Sequence, residues 1–204
     1  MSCAIASAEY THWSYFVEGT LTEFLIDYSR LAARAEEFGF RRGEFLELKA
    51  GLQLAEELTG QVMATPESIT WIDSLTGMTG WVTGSPVDGI FISVPLTAAG
   101  VAAVRDGSFV PGWPSLAHVC EEGALCAGVY IGIYAGATKD ARRRVMMAAA
   151  VVRVDIFGAV PCFARGATED GKRSMASLGF QPIEGGLSDL WGQDPLSQSQ
   201  EDAA

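Results

Sequence analysis

The chain of 204 residues lacks the features that would place it in a membrane or outside the cell. No apolar run approaches the roughly 20 residues that a transmembrane helix needs. The first residues are small, but they include no basic segment and too short an apolar core for a signal peptide. We therefore expect a cytoplasmic protein with no membrane partner.

Cysteine and histidine are also scarce. The four cysteines are Cys3, Cys120, Cys126 and Cys162. They show no C-x-x-C spacing, which is typical of free thiols in a reducing compartment rather than of disulfides. His118, Cys120 and Glu122 could share one face of a strand, but four suitably spaced zinc ligands are missing. We predict no metal site.

Basic residues are few and unevenly distributed. The formal net charge of −11 argues against a nucleic-acid partner, because phosphate backbones need a basic surface. Eight of the fourteen lysines and arginines lie in one C-terminal window: Lys139, Arg142, Arg143, Arg144, Arg153, Arg165, Lys172 and Arg173. A local basic patch in an acidic protein suits a small anionic ligand, although such residues also simply solvate helix surfaces.

Length and composition favour a single domain. A chain of this size buries a substantial core, and we predict one domain over residues 1–194. Residues 195–204 are mostly Ser, Gln, Asp and Ala without an apolar pattern, so we predict a disordered acidic tail.

The N-terminal half reads as a strand, two helices and then short strands. An aromatic-rich strand is predicted at Ala8–Val17. Helices are predicted at about 21–38, opened by a capping box at Thr20–Glu23, and at about 44–59, ended by Gly60.

Short extended runs follow. Strands are predicted at Ser68–Asp73, Gly80–Thr83 and Gly89–Val94. A short helix is then predicted from Pro95 to Arg105. The Gly/Pro-rich loop Gly107–Pro114 is long enough to cover a ligand.

The C-terminal half is the most informative part of the sequence. It predicts a strand at Val129–Tyr134, a basic turn at Lys139–Arg144, a helix at Arg142–Phe157, a strand at Val160–Ala164, a helix at Thr168–Phe180 and a last strand at Leu187–Trp191. A helix N-terminus beside cationic side chains is suited to bind phosphate.

This order of elements resembles the GNAT superfamily of acyl-CoA-dependent N-acetyltransferases, most clearly from Val129 to Phe180. In that family a fourth strand is followed by a pyrophosphate loop, a third helix, a fifth strand and a fourth helix ending in a Gly-Phe pair, here Gly179-Phe180. The resemblance implies an α+β fold with three α/β/α layers. It also implies a mixed, mostly antiparallel central sheet of six or seven strands, with parallel strands before and after Arg142–Phe157.

The resemblance implies acetyl-CoA or a related acyl-CoA as cosubstrate. Two parallel strands that separate leave backbone groups free to pair with pantetheine amides, and the following helix start faces the pyrophosphate. The predicted cofactor-binding residues are Ile131, Gly132, Ile133, Lys139, Arg142, Arg143, Arg144 and Val145.

The chain departs from the family's pattern at two places. Anchoring the phosphate-loop pattern on Arg142 puts Val145 and Met147 where small residues are usual. Met175 stands where many members have a tyrosine acid. These departures favour a second hypothesis, a degenerate GNAT-like domain that acts as a non-catalytic binding or regulatory module.

The chemistry implied by the resemblance is direct transfer of an acyl group to the primary amine of a small molecule or peptide. Glu122 and His118 are predicted to relay the amine proton, with Glu121 and Asp73 as further candidate bases. The leaving thiolate is predicted to be protonated by Ser174, by water, or not at all before its release.

A third hypothesis is a thiol hydrolase that uses Cys162 or Cys120 with His118, although no Cys-His signature appears. A homodimer is left open.

Overall fold

The structure, a computed structural model, describes residues 22–61 and 64–196. Within these ranges the chain forms six helices, a seven-stranded sheet and a separate pair of short strands. The large sheet is mixed and mostly antiparallel, which confirms the predicted α+β class. No helix in these ranges is long and apolar enough to cross a membrane.

The bounds of the elements are as follows. The helices are α1 (Tyr28–Glu36), α2 (Phe45–Thr59), α3 (Pro66–Thr76), α4 (Ala98–Asp106), α5 (Lys139–Asp155) and α6 (Glu169–Ser177). The strands are β1 (Phe24–Leu25), β2 (Arg41–Arg42), β3 (Gly80–Gly84), β4 (Val87–Leu96), β5 (Leu125–Cys126), β6 (Gly128–Gly136), β7 (Cys162–Arg165), β8 (Gln181–Pro182) and β9 (Leu190–Gln193). A 3₁₀ turn covers Leu116–His118.

The strand order in the large sheet is β2-β3-β4-β6-β7-β9-β8. Strands β6 and β7 are parallel, whereas the other neighbours in the described sheet are antiparallel. Parallel neighbours need a crossover connection, and α5 supplies it. The strands before and after this helix are therefore parallel neighbours, as predicted.

Helices pack on both faces of the sheet, an arrangement compatible with the predicted three layers. Alternation along β4 sends Ile90 and Ile92 to one face and Phe91 to the other. The first face is covered by α2, α3 and α4, and the second by α1 and α5. Each buried side chain of this kind contributes roughly 1.5–3 kcal/mol relative to exposure.

The first predicted helix, at about 21–38, is too long. Phe24–Leu25 pairs with β5 as a strand, and α1 begins only at Tyr28 because the side chain of Asp27 accepts a hydrogen bond from the Arg30 amide at 3.0 Å. The second predicted helix, at about 44–59, coincides with α2. The strand predicted at Ala8–Val17, the capping residue Thr20 and tail residues 197–204 lie outside the described residues.

The strand predicted at Ser68–Asp73 is wrong, because this segment belongs to α3. Thr65 caps the helix by accepting a hydrogen bond from the Ser68 amide at 3.2 Å, and Pro66 takes the first helical position. Gly77 closes it in the left-handed conformation, with φ of 69°. These helix boundaries outweigh the β-branched residues that suggested a strand.

The basic turn predicted at Lys139–Arg144 is also wrong, since these residues form the first turns of α5. The Thr138 hydroxyl accepts a hydrogen bond from the Ala141 amide at 3.0 Å and fixes the helix start three residues earlier than predicted. The remaining elements deviate by a few residues from the predictions: α4 covers 98–106, β7 covers 162–165, α6 covers 169–177 and β9 covers 190–193.

Asp73 serves the fold rather than chemistry. The residue is only 8% exposed, and one carboxylate oxygen accepts hydrogen bonds from the Thr79 and Gly80 amides at 2.8 and 3.1 Å. The other oxygen pairs with Arg42. Its proposed role as a base is therefore not supported, because both oxygens are occupied by structural partners.

Replacing Asp73 with Ala should lower the free energy of unfolding by about 2 kcal/mol, because two buried amides lose their acceptor. Urea unfolding is the measurement. The matched control is Glu67→Ala on the same helix, expected within about 0.5 kcal/mol of the wild type. Equal stability of the two variants would contradict this role.

Candidate functional site

Strands β6 and β7 separate part-way along their length. Their pairing runs from Val129 opposite Cys162 to Ile131 opposite Ala164 and then ends. On its other edge β6 remains paired with β4 as far as Gly136. Beyond Ile131, the backbone groups of β6 that face β7 therefore have no strand partner among the described residues.

A β-bulge lies at the point of separation. Ile131 pairs with Ser93 and Ile133 with Ile92, so Gly132 is the extra residue on β6. A bulge bends a strand and disrupts the local ladder, and bulges occur frequently beside functional sites. The bulge therefore marks the place where the sheet opens.

A pocket of about 230 Å³ occupies this opening, and we name it the β6–β7 pocket. Its apolar lining includes Ile92, Val94, Tyr130 and Ile133, and its polar lining consists of Gln61, Arg165, Lys172 and Asp189. Binding pockets for drug-sized ligands are usually about 300–1,000 Å³. This one is suited to a small group or to the end of a longer ligand.

The start of α5 follows β6 after two residues. Its first amides, those of Lys139 and Asp140, have no intrahelical acceptor because of their position. Lys139, Arg142 and Arg143 are exposed, and their spacing of three and four places them on one face. None of the three has an ion-pair partner within the described part of the chain. Free amides beside unpaired cations suit an anion.

Gly136 brings the end of β6 directly against this helix. A Cβ atom added there would lie 2.5 Å from the backbone nitrogen of Arg142 and 2.7 Å from the carbonyl carbon of Ala141. Real Cβ atoms essentially never approach other atoms so closely. Glycine is therefore required for this arrangement of strand end and helix start.

Arg144 and Val145 are used by the fold. A guanidinium nitrogen of Arg144 lies 2.7 Å from a carboxylate oxygen of Asp88, which ties α5 to β4. Val145 is 2% exposed, packs in the core beneath α5 and has its amide inside the helix. Their predicted contacts with the cofactor are therefore not supported, whereas Lys139, Arg142 and Arg143 remain accessible.

The three predicted catalytic residues do not line the β6–β7 pocket. The Glu122 carboxylate lies beside Gly77, since a Cβ added to that glycine would be 3.0 Å from it. Ser174 is exposed on α6. The structure therefore does not bring Glu122, His118 and Ser174 together with the predicted cofactor residues.

His118 lines a different cleft. This cleft has a volume of about 460 Å³ and runs beside the loop that follows α4. Trp71 and Trp113 also line it and stack with ring centroids 4.9 Å apart. The Nδ1 atom of His118 is buried and has no hydrogen-bond partner among the described residues. The predicted covering loop thus borders this cleft, although its Pro111 also reaches the β6–β7 pocket.

Sequence reasoning missed the polar lining of the β6–β7 pocket. Arg165 and Lys172 belong to the C-terminal basic window, which was the available signal for them. Gln61 and Asp189 come from segments far apart in the sequence, and no local pattern indicates them. A hydrogen bond to Glu169 raises the pKa of Lys172, so its ammonium stays charged at neutral pH. Burial raises the pKa of Tyr130 to about 12.

The described thiols are buried. Cys120, Cys126 and Cys162 are free cysteines in the core on the α5 face, and none of them lines either pocket. Burial raises the pKa of Cys162 to about 12, so this thiol stays protonated at neutral pH. Neither Cys120 nor Cys162 is therefore placed to work with His118 as a nucleophile.

No family model matches the chain, and no curated protein matches it. The functional proposal therefore rests on two structural features, the separation of β6 from β7 and the start of α5.

Proposed function

We propose that the protein is an N-acyltransferase that moves an acetyl or other acyl group from acyl-CoA to a primary amine. The observation that carries this proposal is the separation of β6 and β7 shortly before a helix start with free amides and with cations that have no ion-pair partner among the described residues. A strand gap accepts an extended amide chain, and a helix start accepts phosphate. CoA contains both groups in one molecule.

In this proposal the pantetheine arm lies along β6. Its amides pair with backbone groups at Gly132 and Ile133, which have no partner in β7. The pyrophosphate meets the amides of Lys139 and Asp140, and the side chains of Lys139, Arg142 and Arg143 neutralise its charge. A GNAT-like fold is part of the same proposal and is supported by the parallel pair around α5.

The reaction needs little covalent help from the protein. The amine nitrogen attacks the thioester carbonyl carbon, so an N–C bond forms and the C–S bond breaks. CoA leaves as a thiolate, and the amine proton passes to a carboxylate or to water. Asp189 is the carboxylate that lines the pocket within the described residues. Positioning of the two reactants and polarisation of the carbonyl by backbone N–H groups supply the rate enhancement.

Met175 is compatible with this route. A thioether cannot donate a proton, but a thiol with a pKa near 8.5 leaves as thiolate without full protonation.

The proposal is tested by acetyl-CoA binding and by thiol release. Binding at 100 times the dissociation constant should add about 2.7 kcal/mol to the free energy of unfolding. Thiol release in the presence of a panel of primary amines should then exceed the release without amine. Binding together with amine-dependent thiol release is the expected result, and absence of binding would overturn the proposal.

Cys162→Ala and Cys120→Ala should keep turnover within about twofold of the wild type, because an amine attacks a positioned thioester without a covalent acyl-enzyme. Thermal unfolding of each variant verifies folding. Loss of turnover in a folded variant, or an acylated cysteine found by mass spectrometry, would instead support the thiol-enzyme hypothesis.

A non-catalytic binding module is the second candidate. It is favoured by the use of Arg144 and Val145 in the fold, which leaves the phosphate site with fewer contacts than the resemblance implies. Stabilisation by acetyl-CoA without thiol release for any amine would support this candidate over the enzyme.

A further inference from the structure

The polar lining of the β6–β7 pocket points to the chemical class of the acceptor. Arg165, Lys172, Gln61 and Asp189 line it, whereas most other lining residues are apolar or small. Two cations and one carboxylate are among the described lining residues, and Lys172 also pairs with Glu169 beside the pocket. Arg165 is therefore the lining cation without a carboxylate partner among the described residues.

Arg165 is held in place at the end of β7. Its Nε donates to the carbonyl oxygen of Ser188 at 2.8 Å, and one terminal nitrogen donates to the Ser188 hydroxyl at 2.9 Å. The other terminal nitrogen, Nη1, makes no hydrogen bond to the described residues. A guanidinium fixed on one side presents its remaining donors at a defined place, which suits a carboxylate.

Asp189 positions the segment that holds Arg165. It adopts φ of 55°, a left-handed conformation that is uncommon for residues other than glycine. Its carbonyl oxygen accepts a hydrogen bond from the Gly166 amide at 3.0 Å, which joins the segment to the end of β7. The hydrogen bonds from Arg165 to Ser188 and this backbone bond together hold the segment 188–189 against the end of β7.

Lys172 reaches the same pocket from α6. Its Nζ lies 3.0 Å from a carboxylate oxygen of Glu169 and 3.9 Å from one of Asp189. Its stem crosses Gly166 so closely that an added Cβ there would lie 2.6 Å from the lysine Cγ. The ammonium is therefore directed by its packing as well as by its charge partners.

We propose that the acceptor is a small amine that also carries an acidic group, such as an amino acid. Its anionic group would pair with Arg165 and Lys172, and its ammonium would face Asp189 before losing a proton. The pocket volume of about 230 Å³ limits the bound part of the acceptor to roughly this size. This inference rests on the proposed acyltransferase function.

The test compares matched acceptors in the full-length protein with acetyl-CoA. Glycine, alanine and β-alanine are each assayed against the corresponding amide, with thiol release as the readout. The acids should be preferred by about tenfold in kcat/KM, the effect of one charge-assisted pair. The amino group of each amide has a lower pKa than that of the corresponding acid, so a larger fraction of the amide is present as free amine. This difference favours the amides, and a preference for the acids therefore cannot result from amine ionisation.

Arg165→Gln and Lys172→Gln, singly and together, should reduce the preference, and the double variant should abolish it. Arg173→Gln is the control, because this residue on α6 does not line the pocket, pairs with Asp170 and is 76% exposed in its side chain. Thermal unfolding checks that each variant folds. Binding of each N-acetylated acid against its amide, measured by thermal shift, gives a readout that does not need turnover.

Acetyl-CoA binding is measured separately so that the two proposals are distinguished. Intact binding with equal use of acids and amides would overturn the acceptor proposal and leave the acyltransferase proposal standing. A preference that persists in the folded double variant would overturn the assignment to Arg165 and Lys172. Absence of acetyl-CoA binding would overturn both.

Discussion

Replacing Lys139, Arg142 and Arg143 together with Ala should remove most of the stabilisation that acetyl-CoA gives. A solvent-exposed charge pair contributes up to about 1 kcal/mol, so the three changes should cost about 3 kcal/mol of binding, or roughly 100-fold in Kd. At a concentration of 100 times the wild-type Kd, the stabilisation should fall from about 2.7 to about 0.4 kcal/mol. Thermal shift and titration calorimetry measure this change.

Arg144 is left intact in this variant, because its ion pair with Asp88 ties α5 to β4. Arg144→Ala is instead a companion variant, expected to change acetyl-CoA affinity much less than the triple replacement. Arg173→Ala controls for loss of positive charge elsewhere, since it lies on α6 and pairs with Asp170. Unchanged affinity in the triple variant would contradict the placement of the phosphates at α5.

Gly136→Ala should lower both stability and acetyl-CoA affinity. The added Cβ would lie 2.5 Å from the Arg142 nitrogen, and the obstacle is backbone rather than a flexible side chain. We expect a loss of about 3 kcal/mol, at the upper end of overpacking costs. For a chain of this length the melting temperature should fall by about 6–12 °C. Moving the start of α5 away from β6 also separates the two proposed halves of the CoA site.

Ala137→Val is the matched control for this variant. Ala137 is the next residue and is exposed, so added volume there meets no comparable obstacle. Its stability should stay within about 0.5 kcal/mol of the wild type. Equal stability of Gly136→Ala and Ala137→Val would show that the close approach of β6 and α5 is not required.

Local sequence signals predicted the type of element well where apolar spacing and end signals agreed. The run from β6 through α5 to β7 was predicted in the right order, because a strand, a long amphipathic helix and a second strand follow each other without interruption. At α3 the two signals disagreed. Ile69 and Ile72 in a short β-branched run suggested a strand, but the Thr65 cap, Pro66 and the left-handed Gly77 fix a helix.

The candidate site could be predicted only where it is continuous in sequence. Gly132, Ile133 and Lys139 lie within eight consecutive residues, and the predicted order of strand and helix indicated them as binding residues. The polar lining of the pocket comes from distant segments, so Gln61 and Asp189 carried no signal.

Side-chain direction was the other unpredictable property. The four residues 142–145, three arginines and a valine, are consecutive near the start of α5. The direction in which each side chain points depends on where the helix begins. The Thr138 cap sets that start, and with it the exposure of Arg142 and Arg143 and the inward direction of Val145.

The central claim, that acyl-CoA lies between β6 and the start of α5, is tested most directly by amide hydrogen exchange with mass spectrometry. Acetyl-CoA should slow exchange in peptides covering residues 131–134 and 139–142, because the proposed ligand pairs with backbone groups in both. Adenosine 3′,5′-bisphosphate, which lacks the pantetheine arm, should protect 139–142 alone. The predicted result is this difference between the two ligands. Exchange that is unchanged in both peptides with saturating acetyl-CoA, or protection confined to other parts of the chain, would contradict the account.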